Sequence, residues 1–220
     1  MEVIQRPRQN RVDPWGNLVA TPARGALMGN RGCLHDATGR IVRPHVGRRW
    51  IICRLAFKGR RRAVMTPGRY TELFFLDEAT ALAAGHRPCA ECMRPRFELF
   101  RRDWAAANPA LSSAPLTAVA LDRELHSERL ANGQRATYPA RLGDLPPGAL
   151  VVAPDANTPC LVGQNRLWRW SFTGYTLEPG WDAQQEVMVL TPRSVVAALA
   201  AGYPVQVHPT ATAPTFSHVL

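Results

Sequence analysis

Two cysteines three residues apart, Cys89 and Cys92, constrain this 220-residue chain more than any other feature of its sequence. A C-x-x-C turn directs both sulfurs to one side, at about the separation that a tetrahedral zinc ion needs with Zn–S bonds of roughly 2.3 Å. Two further ligands must come from distant parts of the chain, so other segments have to fold around the metal. The sequence therefore predicts a Zn²⁺ site that includes Cys89 and Cys92.

Composition limits the class of protein. Hydrophobic residues make up 46% of the chain, which is enough for a globular core. No run of about 18 apolar residues is present, so we expect no membrane span. The N-terminal segment is polar and lacks the apolar region of a signal peptide, and the five cysteines are odd in number. We therefore expect a cytoplasmic protein with free or metal-bound thiols.

The basic charge is concentrated in the first half of the chain. Residues 1–104 carry 20 Lys and Arg against 9 Asp and Glu, whereas residues 105–220 carry 7 against 8. All but one of the basic residues are Arg, whose guanidinium binds phosphate in a bidentate way. This pattern predicts a nucleic-acid partner, the alternative being a solvated basic face. The arginines predicted to contact phosphate are Arg48, Arg49, Arg60, Arg61, Arg62, Arg87 and Arg94.

Local patterns predict an α+β fold in two parts. Residues 1–27 resemble an extended arm, and residues 50–65 predict a hairpin with Arg60, Arg61 and Arg62 at its tip. A third strand over 70–76 leads to a helix that Asp77 caps and Gly85 ends. A helix over 96–107 follows. The first part, 1–108, is thus a small antiparallel sheet with helices, stabilised by zinc.

The second part, 109–220, begins after a turn-rich boundary at 109–115. Residues 121–130 predict a helix. Residues 149–175 alternate short apolar runs with turns, which is typical of a β-meander. Within it Trp168 and Trp170 point to one face of a strand, where we expect them in the core rather than on a base-stacking platform.

The segment Phe75–Cys92 resembles the zinc-binding domain at the N-terminus of the Ada DNA-repair protein family. That family has an aromatic residue, a short Ala-rich helix, and then Ala-Gly-aromatic-Arg-Pro-Cys-x-x-Cys. The residues that match this pattern are Ala84, Gly85, Arg87, Pro88, Cys89 and Cys92, with His86 in the aromatic place. The resemblance covers these 18 residues and implies a zinc module associated with DNA.

The resemblance also implies that the remaining ligands lie upstream, on a loop with C-x-x-x-C or a single Cys. The matching cysteine is Cys33, and Gly29, four residues earlier, stands where the family has its methyl-accepting thiol. We predict His35 as the fourth ligand because residues i and i+2 of a strand face the same side. Cys53, His45 and His86 are the alternatives, although Cys53 lies in an apolar run typical of a buried cysteine. A four-ligand site is closed and structural.

Two enzymatic alternatives and one further binding role stay open. Asp122 and His126 share a helical face, and with Glu128 they could hold the metal ion of a nuclease. Alternatively, a zinc-bound Cys33 could accept an alkyl group from nucleic acid. In the third reading, zinc only stabilises a protein-interaction module.

Overall fold

The computed structural model describes residues 6–59, 63–112, 116–153 and 157–211 and has the predicted α+β class. In the first half, the strands and helices are β1 (Gln9–Val12), β2 (Leu18–Ala20), β3 (Leu27–Asn30), β4 (Ile51–Cys53), β5 (Leu73–Phe75), α1 (Glu78–Ala83), β6 (Arg87–Pro88) and α2 (Arg94–Ala107). In the second half they are α3 (Ala118–Arg129), β7 (Leu130–Ala131), β8 (Gln134–Arg135), β9 (Tyr138–Arg141), β10 (Leu150–Val152), β11 (Cys160–Val162), β12 (Leu167–Ser171), β13 (Gly174–Glu178), β14 (Glu186–Val189) and α4 (Arg193–Ala200).

The first sheet has six strands in the order β2-β1-β5-β3-β4-β6. It is mixed, because β1 pairs with β5 and β4 with β6 in parallel, while the other pairs are antiparallel. Strands β1 and β2 form a hairpin at one edge. The segment expected to be an extended arm therefore contributes two strands to the sheet, held by pairing with a strand more than 60 residues away.

The prediction of a hairpin over residues 50–65 is wrong for the described residues of this segment. Its first apolar run becomes β4, which pairs with β3 on one side and with β6 on the other. In the described parts of the segment after Cys53, residues 54–59 and 63–65 form no strand. Both neighbouring positions beside β4 are already taken, so the following residues turn away. Arg60, Arg61 and Arg62 lie outside the described residues.

The helices of the first half follow the sequence signals. The Asp77 side chain accepts a hydrogen bond from the Thr80 backbone N–H at 2.8 Å and caps α1. Gly85 then adopts a positive φ of 83°, as an αL position after a helix requires. Helix α2 has Pro95 in its first turn and buries Phe97, Phe100 and Trp104 along one face, as predicted. None of the helices in the described ranges has the length and apolar character needed to cross a bilayer.

The second sheet confirms the predicted meander and extends it. Its six antiparallel strands lie in the order β13-β12-β11-β10-β14-β9. On β12, Trp168 and Trp170 are only 6% and 7% exposed, so both indoles belong to the core. The alternation along this strand places Arg169 on the opposite, exposed face.

The start of α1 connects the two halves of the chain. Asp77 accepts hydrogen bonds from the Tyr175 hydroxyl and the His208 backbone N–H, both at 2.9 Å. The neighbouring Glu78 carboxylate is fully buried and accepts from the Tyr203 hydroxyl at 2.7 Å and the Gln206 N–H at 2.9 Å. One hydrophobic cluster also contains buried residues from both 1–108 and 109–220. The two predicted parts therefore share a core.

His86 is a buried aromatic ring within that core. It packs between Trp50 and Phe75, with ring centroids 5.3 and 4.8 Å away. Within the described part of the chain, neither of its ring nitrogens has a hydrogen-bond partner. Burial lowers the pKa of His86 well below 6.5, and the cations of Arg31 and Arg129 lower it further. The side chain is therefore neutral and fills the position as an apolar ring would.

We predict that His86→Phe raises the free energy of unfolding by about 1 kcal/mol at neutral pH, because it removes buried polar atoms without partners. In the wild type, stability should fall as pH falls below 6.5, since the unfolded histidine binds a proton that the folded one does not. In His86→Phe, the decrease in the free energy of unfolding below pH 6.5 should be smaller by up to about 1.4 kcal/mol per pH unit. Urea unfolding at several pH values measures both effects. His208→Gln is the control, and an equal pH slope in wild type and His86→Phe would contradict the prediction.

Candidate metal centre

Three thiols converge at the end of the first sheet. The sulfur atoms of Cys53, Cys89 and Cys92 all lie within 4.8 Å of one another. Strand β4 ends at Cys53, and its parallel partner β6 runs directly into Cys89, with Ile52 paired to Pro88. The Cys89 backbone N–H donates to the Ile52 carbonyl at 2.9 Å. Because parallel strands end at the same edge, this pairing brings the two cysteines together.

The C-x-x-C turn adds the third thiol and positions all three. The Met93 N–H donates to the Cys89 carbonyl at 3.1 Å, which closes the turn before α2. The backbone N–H of Glu91 donates to the Cys89 sulfur at 3.4 Å, and that of Arg54 donates to the Cys92 sulfur. Such N–H···S bonds orient thiolates and stabilise their charge, as the outer shell of a metal site does.

The thiols share protons unequally. A hydrogen bond from the Cys53 thiol lowers the pKa of Cys89 to about 5, with help from the backbone N–H groups of Cys92 and Glu91. The same bond, together with burial, raises the pKa of Cys53. Without a metal, the group therefore holds a thiolate at Cys89 and a proton at Cys53 near neutral pH. A metal ion that binds all three sulfurs would displace the proton on Cys53.

These sulfurs fit a thiolate-binding metal. Zn–S bonds of roughly 2.3 Å in a tetrahedron separate neighbouring sulfurs by about 3.8 Å, and the three thiols already lie within 4.8 Å. The side chains of Cys53, Cys89 and Cys92 are 7–9% exposed, so the surrounding residues hold them in place. Little movement of the sulfurs would be needed to bind a metal ion. Three soft sulfur donors favour zinc or another thiophilic ion over magnesium or calcium.

The structure brings Cys89 and Cys92 together with Cys53, and it holds Cys33 and His35 elsewhere. Strands β3 and β4 are antiparallel, with Met28 opposite Cys53, so the chain beyond β3 runs away from the thiols. The Cys33 sulfur contacts the His35 carbonyl at 3.6 Å. The His35 Nδ1 lies 2.6 Å from the Thr71 hydroxyl, which anchors the ring in a loop. Cys53, one of the alternatives for the fourth ligand, lies with Cys89 and Cys92, whereas the predicted Cys33 and His35 do not.

Gly29 has a packing role that explains its missing side chain. It lies on β3 opposite Ile52, and a Cβ atom there would clash with the Ile51 carbonyl oxygen and contact the Phe75 ring.

The alternative ligands His45 and His86 also lie away from the thiol group. Both rings pack against Trp50, with centroids 5.2 and 5.3 Å from it.

The three thiols form part of the wall of a large cleft. Its volume is about 1510 Å³. Exposed guanidinium side chains and exposed apolar side chains share its wall with the sulfurs. The lining includes Arg48, Arg49, Arg54 and Arg123 as cations and Val46, Leu55, Phe57 and Val119 as apolar groups. The three cysteines are largely buried and border this cleft.

The predicted phosphate-binding arginines differ in their environments. Arg48 and Arg49 are exposed on the cleft wall, and Arg94 is exposed at the start of α2. Arg87 is buried, and its Nε and Nη2 donate to the two Asp122 oxygens at 2.9 and 2.8 Å. Since its donors are used within the fold, Arg87 serves as a structural residue and not as an open phosphate contact.

Trp50 is a core residue. Its side chain is 3% exposed. The guanidinium groups of Arg31 and Arg129 lie over the indole at 4.7 and 4.5 Å from the ring centroid. The indole is therefore enclosed in the core and offers no stacking surface beside the cleft arginines. Any stacking in the cleft would depend on other rings.

The proposed nuclease residues do not converge on one point. The Asp122 carboxylate is occupied by Arg87. Both Glu128 oxygens accept the Ser194 N–H at 3.2 Å, at the start of α4. His126 packs against the His45 and Trp50 rings instead. Each carboxylate thus has a structural partner, and no observation favours a hydrolytic metal site among the three.

Comparisons of the chain with protein-family models, with curated proteins and with solved structures found no match. The interpretation of the site therefore depends on the geometry of the thiols and the cleft.

We predict that Cys89 is the most reactive thiol of the three in the metal-free protein. Its pKa of about 5 makes it a thiolate near pH 6, where an ordinary thiol with a pKa of 9.0 is protonated. Brief treatment with iodoacetamide at about pH 6, followed by peptide mass spectrometry, should show Cys89 modified before Cys53. Added zinc should protect it. Earlier modification of Cys53 would contradict this order.

Proposed function

We propose that this protein binds zinc through Cys53, Cys89 and Cys92 and binds the phosphate backbone of nucleic acid in the adjoining cleft. The observation that carries the proposal is the group of three thiols within 4.8 Å on the wall of a cleft that also carries exposed arginines. Metal ligands and phosphate-binding groups thus occur on one surface.

Several features support zinc as the metal. Thiolates are preferred zinc ligands, and the resemblance of Phe75–Cys92 to the Ada zinc module agrees with this choice. All five cysteines are free, which suits a reducing compartment such as the cytoplasm. Zinc would join β4 to the turn before α2, two segments separated by 36 positions in the sequence. Metal binding would then contribute directly to the stability of the fold.

Charge supports nucleic acid as the partner. The chain carries a net charge of +10, and Arg48, Arg49, Arg54 and Arg123 are exposed along the cleft. Guanidinium groups bind phosphate oxygens in pairs, and a concave basic surface concentrates anions. The other reading of the charge, a solvated basic face, predicts no such binding.

We predict that Cys53→Ser lowers the zinc content of the purified protein well below one ion per chain, whereas Cys33→Ser does not. The reason is that Cys53 belongs to the thiol group and Cys33 does not. Metal analysis after gel filtration, with competition against a zinc chelator, measures the difference. Equal loss in the two variants would favour the ligand set that includes Cys33, and zinc-free wild-type protein would refute the metal site.

We predict that nucleic-acid binding weakens steeply with salt and depends on Arg48 and Arg49. Each phosphate contact on duplex DNA contributes about 0.9 to the slope of log K against log salt. The double variant Arg48→Ala, Arg49→Ala should lower that slope by about 2. Fluorescence anisotropy with labelled duplex and single-stranded oligonucleotides measures it.

The matched control for this experiment is Arg166→Ala. Arg166 is exposed between β11 and β12, on the second sheet and outside the cleft lining. It removes one positive charge without touching the proposed surface. A slope lowered by about 1 in the control, the same change per charge removed, would indicate a general charge effect. No binding by the wild type at low salt would refute the nucleic-acid partner.

A further inference from the structure

The thiol group lacks a fourth donor from the described chain. Zinc in proteins is almost always four-coordinate, and a closed structural site takes all four donors from side chains. In residues 6–59, 63–112, 116–153 and 157–211, no fourth Cys, His, Asp or Glu joins the three thiols within the same mutual distance. The expectation of a closed site with four protein ligands is not met by these residues.

The histidines within the described ranges all lie in other environments. His35 is held by Thr71. His45, His86 and His126 surround Trp50. His208 interacts with the Thr210 hydroxyl at 2.9 Å. The remaining histidine, His218, lies outside the described residues. A fourth ligand from any of the five described rings would require a rearrangement of the core or of an anchored loop.

We propose that the metal at Cys53, Cys89 and Cys92 keeps an exchangeable fourth position that opens into the cleft and takes an organic anion. This inference rests on the metal half of the proposed function. Sites with three protein ligands and one open position are those that bind exogenous ligands, in contrast to closed structural sites. All three cysteines border the same cleft, so a ligand in the cleft can reach a metal held by the three sulfurs.

The charges around the thiols favour an anionic ligand. Three thiolates and one Zn²⁺ carry a net charge of −1, so a further anion needs nearby cations. Arg54 directly follows Cys53, and its exposed side chain lines the cleft. With Arg48, Arg49 and Arg123 it outnumbers the acidic lining residues Glu72 and Glu91, once the buried Arg87–Asp122 ion pair is set aside. One anionic group could therefore be bound both by the metal and by the neighbouring guanidinium groups.

The apolar part of the cleft favours an organic molecule over a simple inorganic ion. Leu55 and Val119 are 55% and 78% exposed, and both line the cleft with the half-buried Phe57. Exposed apolar side chains gathered in a concave surface are typical of ligand sites. A ligand with an anionic group and an apolar or aromatic body, such as a nucleotide, satisfies both halves of the surface.

Cobalt(II) substitution tests this inference with a direct spectroscopic readout. Sulfur-to-cobalt charge-transfer bands should report the three thiolates, and the d–d bands report the fourth ligand. We expect inorganic phosphate and phenyl phosphate both to shift the d–d bands, with phenyl phosphate binding about tenfold more tightly because its ring is buried. Equal affinities would overturn the organic class of ligand, and d–d bands that respond to neither probe would overturn the exchangeable position.

Variants identify the groups that act on the ligand. Arg54→Ala should weaken phenyl phosphate about tenfold while leaving the charge-transfer bands unchanged, and Arg166→Ala should do neither. Glu91→Gln and His218→Ala should leave the anion-free spectrum unchanged. A changed spectrum in either variant would identify a fourth ligand from the chain and overturn the inference. X-ray absorption of the zinc protein should show three sulfurs and one lighter donor, whereas four sulfurs would also overturn it.

The two proposals fail in distinguishable ways. If no charge-transfer band forms, the thiols do not bind the metal and both proposals fail. If the band forms in wild type, disappears in Cys53→Ser, and the d–d bands ignore both phosphates, only the exchangeable position fails. In that case the metal site remains as a structural element.

Discussion

The parallel pairing of β4 with β6 is the contact on which the rest of the first half depends. Its hydrogen bonds, from Cys89 N–H to the Ile52 carbonyl and from Arg87 N–H to the Trp50 carbonyl, are 2.9 and 3.1 Å long. They place Cys53 beside Cys89 at one end and the Trp50 ring against His86 at the other. Strand β6 has only two residues, so it needs support from its side chains. The buried ion pair of Arg87 with Asp122 provides it by fixing β6 to α3.

Buried arginines make the same junction polar, and α1 explains how they are tolerated. Arg129 donates to the Gly85 carbonyl at 2.7 Å, and Arg135 donates to the Ala83 carbonyl. These carbonyls lie at the C-terminal end of α1, where the helix leaves its last acceptors unpaired and the dipole favours cations. The opposite end of α1 presents Asp77 to donors from the second half. Both ends of one short helix therefore serve as connections between the halves.

Local features of this fold were predictable from the sequence, and long-range pairings were not. Asp77 as a cap and the buried face of α2 follow from patterns within a few residues. The choice between Cys33 and Cys53 depends on which strand lies beside β6, and no local signal specifies a partner 36 residues away. The apolar run ending at Cys53 has the same composition as any buried strand. Only its position at the edge shared with Cys89 distinguishes a candidate ligand from a core cysteine.

The position of the thiols links stability to ligand binding. Cys53 belongs to β4 and Cys89 to the turn after β6, so a metal that joins them stabilises the pairing on which the first sheet depends. A metal held by the three sulfurs would also border the cleft. A molecule that binds the folded, metal-loaded cleft and not the unfolded chain adds RT ln(1 + [L]/Kd) to the stability. The effects of the metal and the ligand on each other are reciprocal. If the metal increases the affinity for a ligand by some factor, the ligand increases the affinity for the metal by the same factor. A metal with an open position would therefore couple metal affinity directly to the occupant of the cleft, whereas a closed site would leave only the stabilisation that any ligand of the folded cleft provides.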